Sequence, residues 1–455
     1  MMSLQNKNVS IVGAARSGIA VAQLLKEQGA KVFVSDKDLN EKVTAQIPFF
    51  KSLGINYEFG QHTDRLYNAD LIVISPGVPT NSPVVHEALS RGINVVSELE
   101  TASWFCPAPI VAITGSNGKT TTTTLAGRMF ADAGRNHVVG GNIGMAFSSI
   151  VPGLDQNAVA VLEVSSFQLD HIESFHPKVS VILNITPDHL DRYGGSFDAY
   201  KQSKGRIFLN QTQSDYLIYC YDDEQTRELV FNKALSFVQA IPFGIKRGFE
   251  NGAYVEHGSL YTCLDGIVRE IIETSAISIK GIHNLYNSMA AVLAAQIMGV
   301  SVASIRSTLK NFKGVEHRLE FVRELNGVKY INDSKATNVD SVKYALMAYE
   351  NPVILLLGGR DKGNDYSLLN AEIERHVKTI VAIGESADKV EKAFDSKTKI
   401  VHASSMIGAV ELAHSLAQSG DVVMLSPACA SFDWFENYEH RGRVFKEYVN
   451  KLPEH

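Results

Sequence analysis

The sequence predicts an α/β protein of three domains, and three observations carry that expectation. A β-branched apolar run, a glycine-bearing turn and a helical pattern follow one another, and the series restarts three times, at the N-terminus, near 109 and near 314. Strands alternate with helices rather than with other strands, which points to parallel sheets. With 455 residues, the chain exceeds the size at which a single core keeps growing. We set the domains at 1–108, 109–313 and 314–455.

The elements follow in order. Val9-Ser-Ile-Val-Gly13 reads as a strand ending in a glycine turn, with a helix from about Ser17 to Gln28. Further strands run from Val32 to Asp36 and from Leu71 to Ser75, the latter stopped by Pro76-Gly77. The turn Gly13-Ala-Ala-Arg-Ser-Gly18, with Asp36 near the expected acidic position, makes this first domain Rossmann-like. Ala15 stands where the middle glycine of a dinucleotide fingerprint would be, which hinders close approach of a pyrophosphate. After Cys106-Pro-Ala-Pro109, Ile110–Thr114 reads as a buried strand and Thr120 to Ala133 as a helix closed by Gly134. Strands are also expected at Ala158–Val164 and Val179–Ile185. In the third domain, Val353–Gly358, Thr379–Ile383 and Asp421–Leu425 read as parallel strands of a second Rossmann-like sheet.

Bulk properties exclude several classes. A net charge of −6 supplies no field to attract nucleic acid or anionic lipid. Cys106, Cys220, Cys263 and Cys429 are far apart and form no CxxC pair, so neither a zinc site nor a disulfide framework is expected. The residues from Met1 to Asn8 form no apolar signal segment, and no apolar run is long enough to span a bilayer. We expect a cytoplasmic, monomeric protein with no nucleic-acid partner and no membrane insertion.

The most informative segment is Thr114-Gly-Ser-Asn-Gly-Lys-Thr120, between a buried strand and a helix. Glycines let backbone N–H groups close around phosphate oxygens, the helix N-terminus adds favourable partial charge, and Lys119 reaches the outer phosphates. Thr120 or Thr121 offers a hydroxyl to Mg²⁺. The spacing is shorter than in the usual phosphate loop, since Ile113 occupies the position of the first glycine. The loop predicts phosphate binding.

That short loop resembles the nucleotide loop of the Mur ligase and folylpolyglutamate synthase superfamily, and the resemblance extends along the chain. Glu163-Val-Ser-Ser-Phe-Gln-Leu-Asp170 and Asn184-Ile-Thr-Pro-Asp-His-Leu-Asp-Arg192 look like its next two motifs. Gly281-Ile-His-Asn-Leu-Tyr-Asn287, His317-Arg318 and Asn332-Asp-Ser-Lys-Ala-Thr-Asn338 follow. Leu357-Gly-Gly-Arg-Asp-Lys362 and Leu425-Ser-Pro-Ala-Cys-Ala-Ser431 complete the series. The resemblance implies a central P-loop-type, mononucleotide-binding ATPase domain. It also implies that ATP phosphorylates a precursor's carboxylate and that an amine then attacks the acyl phosphate, releasing ADP and phosphate. Anions must then approach one another, so cations must neutralise them.

The resemblance also implies roles for individual residues. Lys119, Glu163, His189 and Lys204 would be catalytic, with Thr120, Glu163, His189 and Lys204 holding two Mg²⁺ ions. Lys204 matches a lysine carbamylated by CO₂, which turns a cation into an anionic oxygen ligand; Lys201 is a neighbouring competitor for the match, and alone either would read as a solvated surface lysine. Gly115, Asn117, Gly118, Lys119, Thr120, Thr121, Asn287, Arg318 and Asp333 would bind ATP, with Asp333 on the ribose. Arg16, Ser17, Asp36, Lys37 and Asn142 would contact a UDP-linked substrate. Lys335 and Thr337 follow Asp333 and are expected on alternate sides, so that at least one faces the cleft. The third domain is expected to close on the phosphate loop.

Within the family, the start Val12-Gly-Ala-Ala-Arg-Ser-Gly18 and the stretch Ser426-Pro-Ala-Cys-Ala-Ser-Phe-Asp-Trp-Phe435 look most like the D-glutamate-adding members. The substrates implied are UDP-N-acetylmuramoyl-L-alanine, D-glutamate and ATP, in peptidoglycan precursor synthesis. Thr337, Lys362, Ser431 and Phe432 would bind D-glutamate, with Tyr438 closing the pocket, although both aromatics also suit a core. The alternatives are another amino-acid-adding member or a folylpolyglutamate-synthase-like ligase. A nicotinamide-dependent dehydrogenase leaves the phosphate loop unused, and an ATP-binding regulatory module leaves Glu163, His189 and Lys204 unused.

Overall fold

The computed structural model describes residues 4–234, 236–245, 249–361 and 363–453. The described residues form two compact units: one comprises the chain up to Ile277 together with Tyr286–Asn311, the other Ser278–Leu285 together with the chain from Phe312 onward. The first unit contains two sheets and the second contains one.

The first sheet comprises β1 (Asn8–Val12), β2 (Lys31–Asp36), β3 (Asn56–Phe59), β4 (Leu71–Ile74) and β5 (Asn94–Ser97), all parallel, in the order β3-β2-β1-β4-β5. The order reverses beside β1, and in such sheets that crevice outside the strands' carboxyl ends receives the ligand. Two glycines build the turn there. A Cβ on Gly18 would lie 1.8 Å from the Gly13 carbonyl oxygen, and Gly13 sits at φ +100°. Ala15 precedes the helix Arg16–Glu27 in extended conformation and tolerates its side chain.

The central sheet holds β6 (Ile110–Thr114), β7 (His137–Gly141), β8 (Val159–Glu163), β9 (Val179–Ile182), β10 (Tyr216–Cys220), β11 (Gln239–Phe243), β12 (Gly252–Glu256), β13 (Ser259–Leu264) and β14 (Ile267–Glu273). They lie in the order β14-β13-β12-β11-β10-β9-β6-β8-β7. β6 and β8 are buried along their whole length, which explains their unbroken apolar runs. The strand expected to reach Ile185 ends at Ile182, because Asn184 turns away to bond Asn117: its Oδ1 accepts from the Asn117 N–H at 2.8 Å and its Nδ2 donates to the Asn117 carbonyl at 3.1 Å.

The second unit's sheet contains β15 (Glu320–Leu325), β16 (Val328–Asn332), β17 (Val353–Gly358), β18 (Val377–Ile383), β19 (Lys399–His402) and β20 (Val422–Leu425), ordered β15-β16-β20-β17-β18-β19.

Only the first sheet is purely parallel. In the central sheet β12, β13 and β14 pair antiparallel, and β15 pairs antiparallel with β16. Each of these hairpins closes through two left-handed residues: His257-Gly258, Asp265-Gly266 and Asn326-Gly327. Such pairs match the right-handed twist of the flanking strands. A second expectation fails at 333–337. That stretch is a turn, with the Ala336 N–H on the Asp333 carbonyl, so the alternation expected of Lys335 and Thr337 does not apply.

Candidate active site

The site in the first unit gathers at the carboxyl ends of β6 and β8. Gly118 precedes the helix Lys119–Asp132 at φ +84°, so that only a residue without Cβ turns the chain into the helix unstrained. A Cβ there would also lie 2.3 Å from Asn287 Oδ1, which accepts from Thr122 Oγ1 at 3.2 Å. Asn287 thus braces the back of the loop. Lys119 folds over it, its Nζ donating to the carbonyls of Gly115 (2.8 Å) and Ser116 (2.9 Å).

Glu163 terminates β8 and is 2 % exposed. Its Oε2 accepts from Thr120 Oγ1 at 2.7 Å and its Oε1 from Asn142 Nδ2 at 2.8 Å. The Asn142 N–H donates to the Glu163 carbonyl as well, so one strand end fixes both side chains. Thr120, not Thr121, is the hydroxyl aimed at this carboxylate. The carboxylate and the hydroxyl are hard oxygen donors of the kind a divalent cation takes, and the Asn142 N–H₂ orients the carboxylate.

Lys204 is no surface lysine. It lies on the helix Phe197–Gly205, 1 % exposed, and its Nζ donates to the Gly115 carbonyl at 2.8 Å, the same carbonyl that Lys119 holds. Burial pushes its pKa well down, and the Lys119 charge pushes it further, against the opposing pull of Asp188 and Glu163. Lys201 instead faces Gln225 and Glu228. His189 stands at φ +50° beside Asp188, half-exposed, its ring edge-on to Phe167.

Three residues of this neighbourhood went unread in the sequence. The Tyr200 ring lies under Lys204 Nζ at 4.6 Å, and its hydroxyl meets Ser116 Oγ at 3.0 Å. Ser116 Oγ also donates to the Thr186 carbonyl and accepts its N–H. Asp188 is the third. The position of Tyr200 four residues before Lys204, one helical turn away, was the available signal.

At the first sheet, Asp36 braces the glycine turn: Oδ2 accepts from the Ala14 N–H at 2.7 Å and Oδ1 from the Asp38 N–H at 2.9 Å. Arg16 donates to the Gly144 carbonyl at 2.5 Å, in the segment that carries Asn142. Ser17 is half-buried and Lys37 exposed in the same turn region.

In the second unit, Asp333 follows β16 and is buried. It accepts from Ser426 Oγ at 2.7 Å and the Leu319 N–H at 3.2 Å, and burial lifts its carboxyl to about 7 despite Arg318 and Arg441. Arg318 is half-buried next to His317. Lys335 Nζ lies 3.7 Å over the Tyr438 ring, which meets His317 edge-on. Tyr438 is therefore a half-buried partner in a polar cluster, not core. Ser431 is buried, Thr337 half-buried, and Phe432 is 58 % exposed, which removes the core reading for it. Lys362 lies outside the described residues. Arg441, unread in the sequence, is 1 % exposed and ties the 333–337 turn to the loop after β20 through Ser334 and the Cys429 carbonyl.

Three family descriptions match the chain in succession: "Mur ligase MurD-like, N-terminal domain" over residues 7–97, "Mur ligase middle domain" over 113–295, and "Mur ligase, glutamate ligase domain" over 317–429. Curated relatives match end to end. The UDP-N-acetylmuramoylalanine–D-glutamate ligase of Chloroherpeton thalassium is 46 % identical over 99 % of both chains, and that of Salinibacter ruber is 46 % identical over the same share. The chain belongs to the Mur ligase family. Solved Mur-type structures agree in fold: MurF from Acinetobacter baumannii (TM-score 0.62, 16 % identity, 97 % of this chain and 93 % of that one) and a pseudomurein peptide ligase type C from Methanothermus fervidus (TM-score 0.61, 20 % identity, 98 % and 100 %). The three sheets are those of the three-domain Mur ligase fold, and Mur ligases use ATP.

Proposed function

We propose that this Mur ligase joins D-glutamate to UDP-N-acetylmuramoyl-L-alanine, using ATP to make an acyl phosphate and releasing ADP and phosphate. End-to-end identity of 42–46 % to ligases of that name supports the substrate pair. The observation that carries the chemistry is the convergence of Thr120, Asn142 and Glu163 beside two lysines on the Gly115 carbonyl.

In this reading, residues 1–108 grip the UDP-linked substrate through Arg16, Ser17, Asp36 and Lys37, with Asn142 contributed from the next domain. Residues 109–313 bind ATP through Gly115, Asn117, Gly118, Lys119, Thr120, Thr121 and Asn287. Residues 314–455 contribute Arg318 and Asp333 to the nucleotide. They hold D-glutamate with Thr337, Lys362, Ser431, Phe432 and Tyr438. Lys119 neutralises the transferring phosphoryl group, a step that one positioned donor speeds by roughly 10²–10³. Thr120, Glu163, His189 and a carbamylated Lys204 would hold two Mg²⁺ ions, whose charge, when bound, offsets that of phosphate and carboxylate. Burial and the neighbouring Lys119 charge lower the basicity of Lys204, which favours the unprotonated amine that reacts with CO₂. Among the described residues no helix is long and apolar enough to cross a membrane. We place the enzyme in the cytoplasm as a monomer.

The test is phosphate release with ATP, Mg²⁺ and UDP-N-acetylmuramoyl-L-alanine, offering D-Glu, L-Glu, L-Ala or L-Lys in turn. Release confined to D-Glu is expected. Release with a different amino acid moves the enzyme within the family, and no release with any of them overturns the reading.

A further inference from the structure

The short helix Glu98–Ser103, which ends the first sheet's share of the chain, carries two buried carboxylates that no catalytic role uses. Glu100 is wholly buried and accepts five hydrogen bonds. Its Oε1 takes the Ser174 N–H (2.9 Å), Ser174 Oγ and Trp104 Nε1 (2.6 Å), and its Oε2 takes the N–H groups of Glu173 (3.0 Å) and Phe175 (2.8 Å). None of the five donors is a charged side chain. Two residues earlier, Glu98 accepts from the N–H (2.7 Å) and Oγ of Ser148, in the segment after Asn142. The same helix therefore grips the central domain at two points, just before β9 and just after β7.

Burying a carboxylate without a cation is costly unless its lone pairs are satisfied, and an apolar side chain would fill this space as stably. What five directional bonds add is fixed orientation. Apolar surfaces slide against each other by fractions of an ångström, whereas a carboxylate held by three successive backbone N–H groups has one seat. The two ends of the nucleotide-linked substrate make that seat matter. Its nucleotide would lie on the first sheet's glycine turn and its reacting carboxylate beside the phosphate loop, so the offset between the two sheets sets the attack distance. The other polar ties nearby, Arg16 to the Gly144 carbonyl, Thr80 to Asp170, Arg192 to the Pro76 carbonyl and the Ser97 N–H to the His171 carbonyl, are single bonds.

We infer that Glu100, supported by Glu98, is a positioning residue: it locks the substrate cradle of the first sheet at a fixed offset from the phosphate loop, so that a substrate held at one end reaches the reacting phosphate at the other. The inference rests on the ligase reading above. Trp104 supplies an internal reporter, because the chain has two tryptophans and its indole N–H is one of the five donors.

The experiment uses full-length enzyme with Trp434→Phe as background, adding Glu100→Gln or the milder Ser174→Ala. Phosphate release is measured against UDP-N-acetylmuramoyl-L-alanine and against ATP, and Trp104 emission is recorded. Glu100→Gln turns an N–H₂ group toward N–H donors. It should lower kcat roughly 10- to 100-fold and raise KM for the UDP-linked substrate, with KM for ATP unchanged and the emission shifted. Ser174→Ala should move the same quantities less far, and it carries the test if Glu100→Gln does not fold. A shifted emission with kcat and both KM values unchanged overturns the inference, as does a parallel loss of both affinities in step with thermal stability. Unsubstituted enzyme that releases no phosphate with D-glutamate overturns the ligase reading itself, and the inference with it.

Discussion

Glu163→Gln separates what the carboxylate does for the fold from what its charge does for the reaction. In the folded chain each oxygen accepts one bond, from Asn142 Nδ2 and from Thr120 Oγ1. A glutamine keeps both: its oxygen faces the Asn142 amide, and its N–H₂ donates to the Thr120 hydroxyl, which rotates to accept. Two charge-assisted bonds become neutral ones, but a buried charge is also removed, so the net change in stability should stay within about 1 kcal/mol. Glu163→Ala instead leaves the Asn142 amide and Thr120 hydroxyl without the partner seen here and should cost about 1–3 kcal/mol for each group that water does not reach. The catalytic effect runs the other way. In the proposed reading that charge holds a hard cation, so phosphate release by Glu163→Gln should fall by roughly 10²–10³ while its unfolding temperature barely moves. Urea unfolding and a phosphate-release assay, with Mg²⁺ titrated, measure both. Turnover of Glu163→Gln within a few-fold of the parent at every Mg²⁺ concentration would refute the assigned role.

Other outcomes follow from the same geometry. Gly118→Ala puts a Cβ 2.3 Å from Asn287 Oδ1 at φ +84° and should abolish measurable ATP binding by calorimetry, with a stability loss of about 1–2 kcal/mol. Enzyme kept in CO₂-free buffer should lose activity and regain it with bicarbonate, whereas Lys204→Met should not respond; full activity without CO₂ removes the carbamate. Burial lifts the Asp333 carboxyl to about 7 from an ordinary 3.8, so the folded chain binds that proton more tightly. Its contribution is full below about 3.8 and is lost as pH rises through 7. Asp333→Asn keeps the bonds to Ser426 and Leu319 without the charge. Its stability advantage should therefore widen by on the order of 2–3 kcal/mol between about pH 5 and pH 8 in thermal unfolding, while activity falls. An advantage that does not change with pH would contradict the burial of that carboxyl.

The sequence alone determined the parallel strands, the glycine turns and the phosphate loop, because those signals are local. Buried parallel strands need continuous apolar runs, and a left-handed residue before a helix needs glycine, so Ile110–Thr114 and Gly118 are legible without any partner. The hairpins were legible too, since His257-Gly258, Asp265-Gly266 and Asn326-Gly327 are local turn signals; a reading tuned to strand–helix alternation passed over them. Most assignments of site residues came from motif resemblance, which names a residue but not what it touches. Only the tertiary structure decided that Lys204 reaches the Gly115 carbonyl while Lys201, also buried, turns to Gln225 and Glu228, that Phe432 is exposed, and that Asp36 and Asp333 accept hydrogen bonds from backbone N–H groups. It also brought Glu100 onto residues more than seventy positions away. Burial, pKa and bonding partner are properties of what packs around a side chain, and the atoms that set them are distant in the chain.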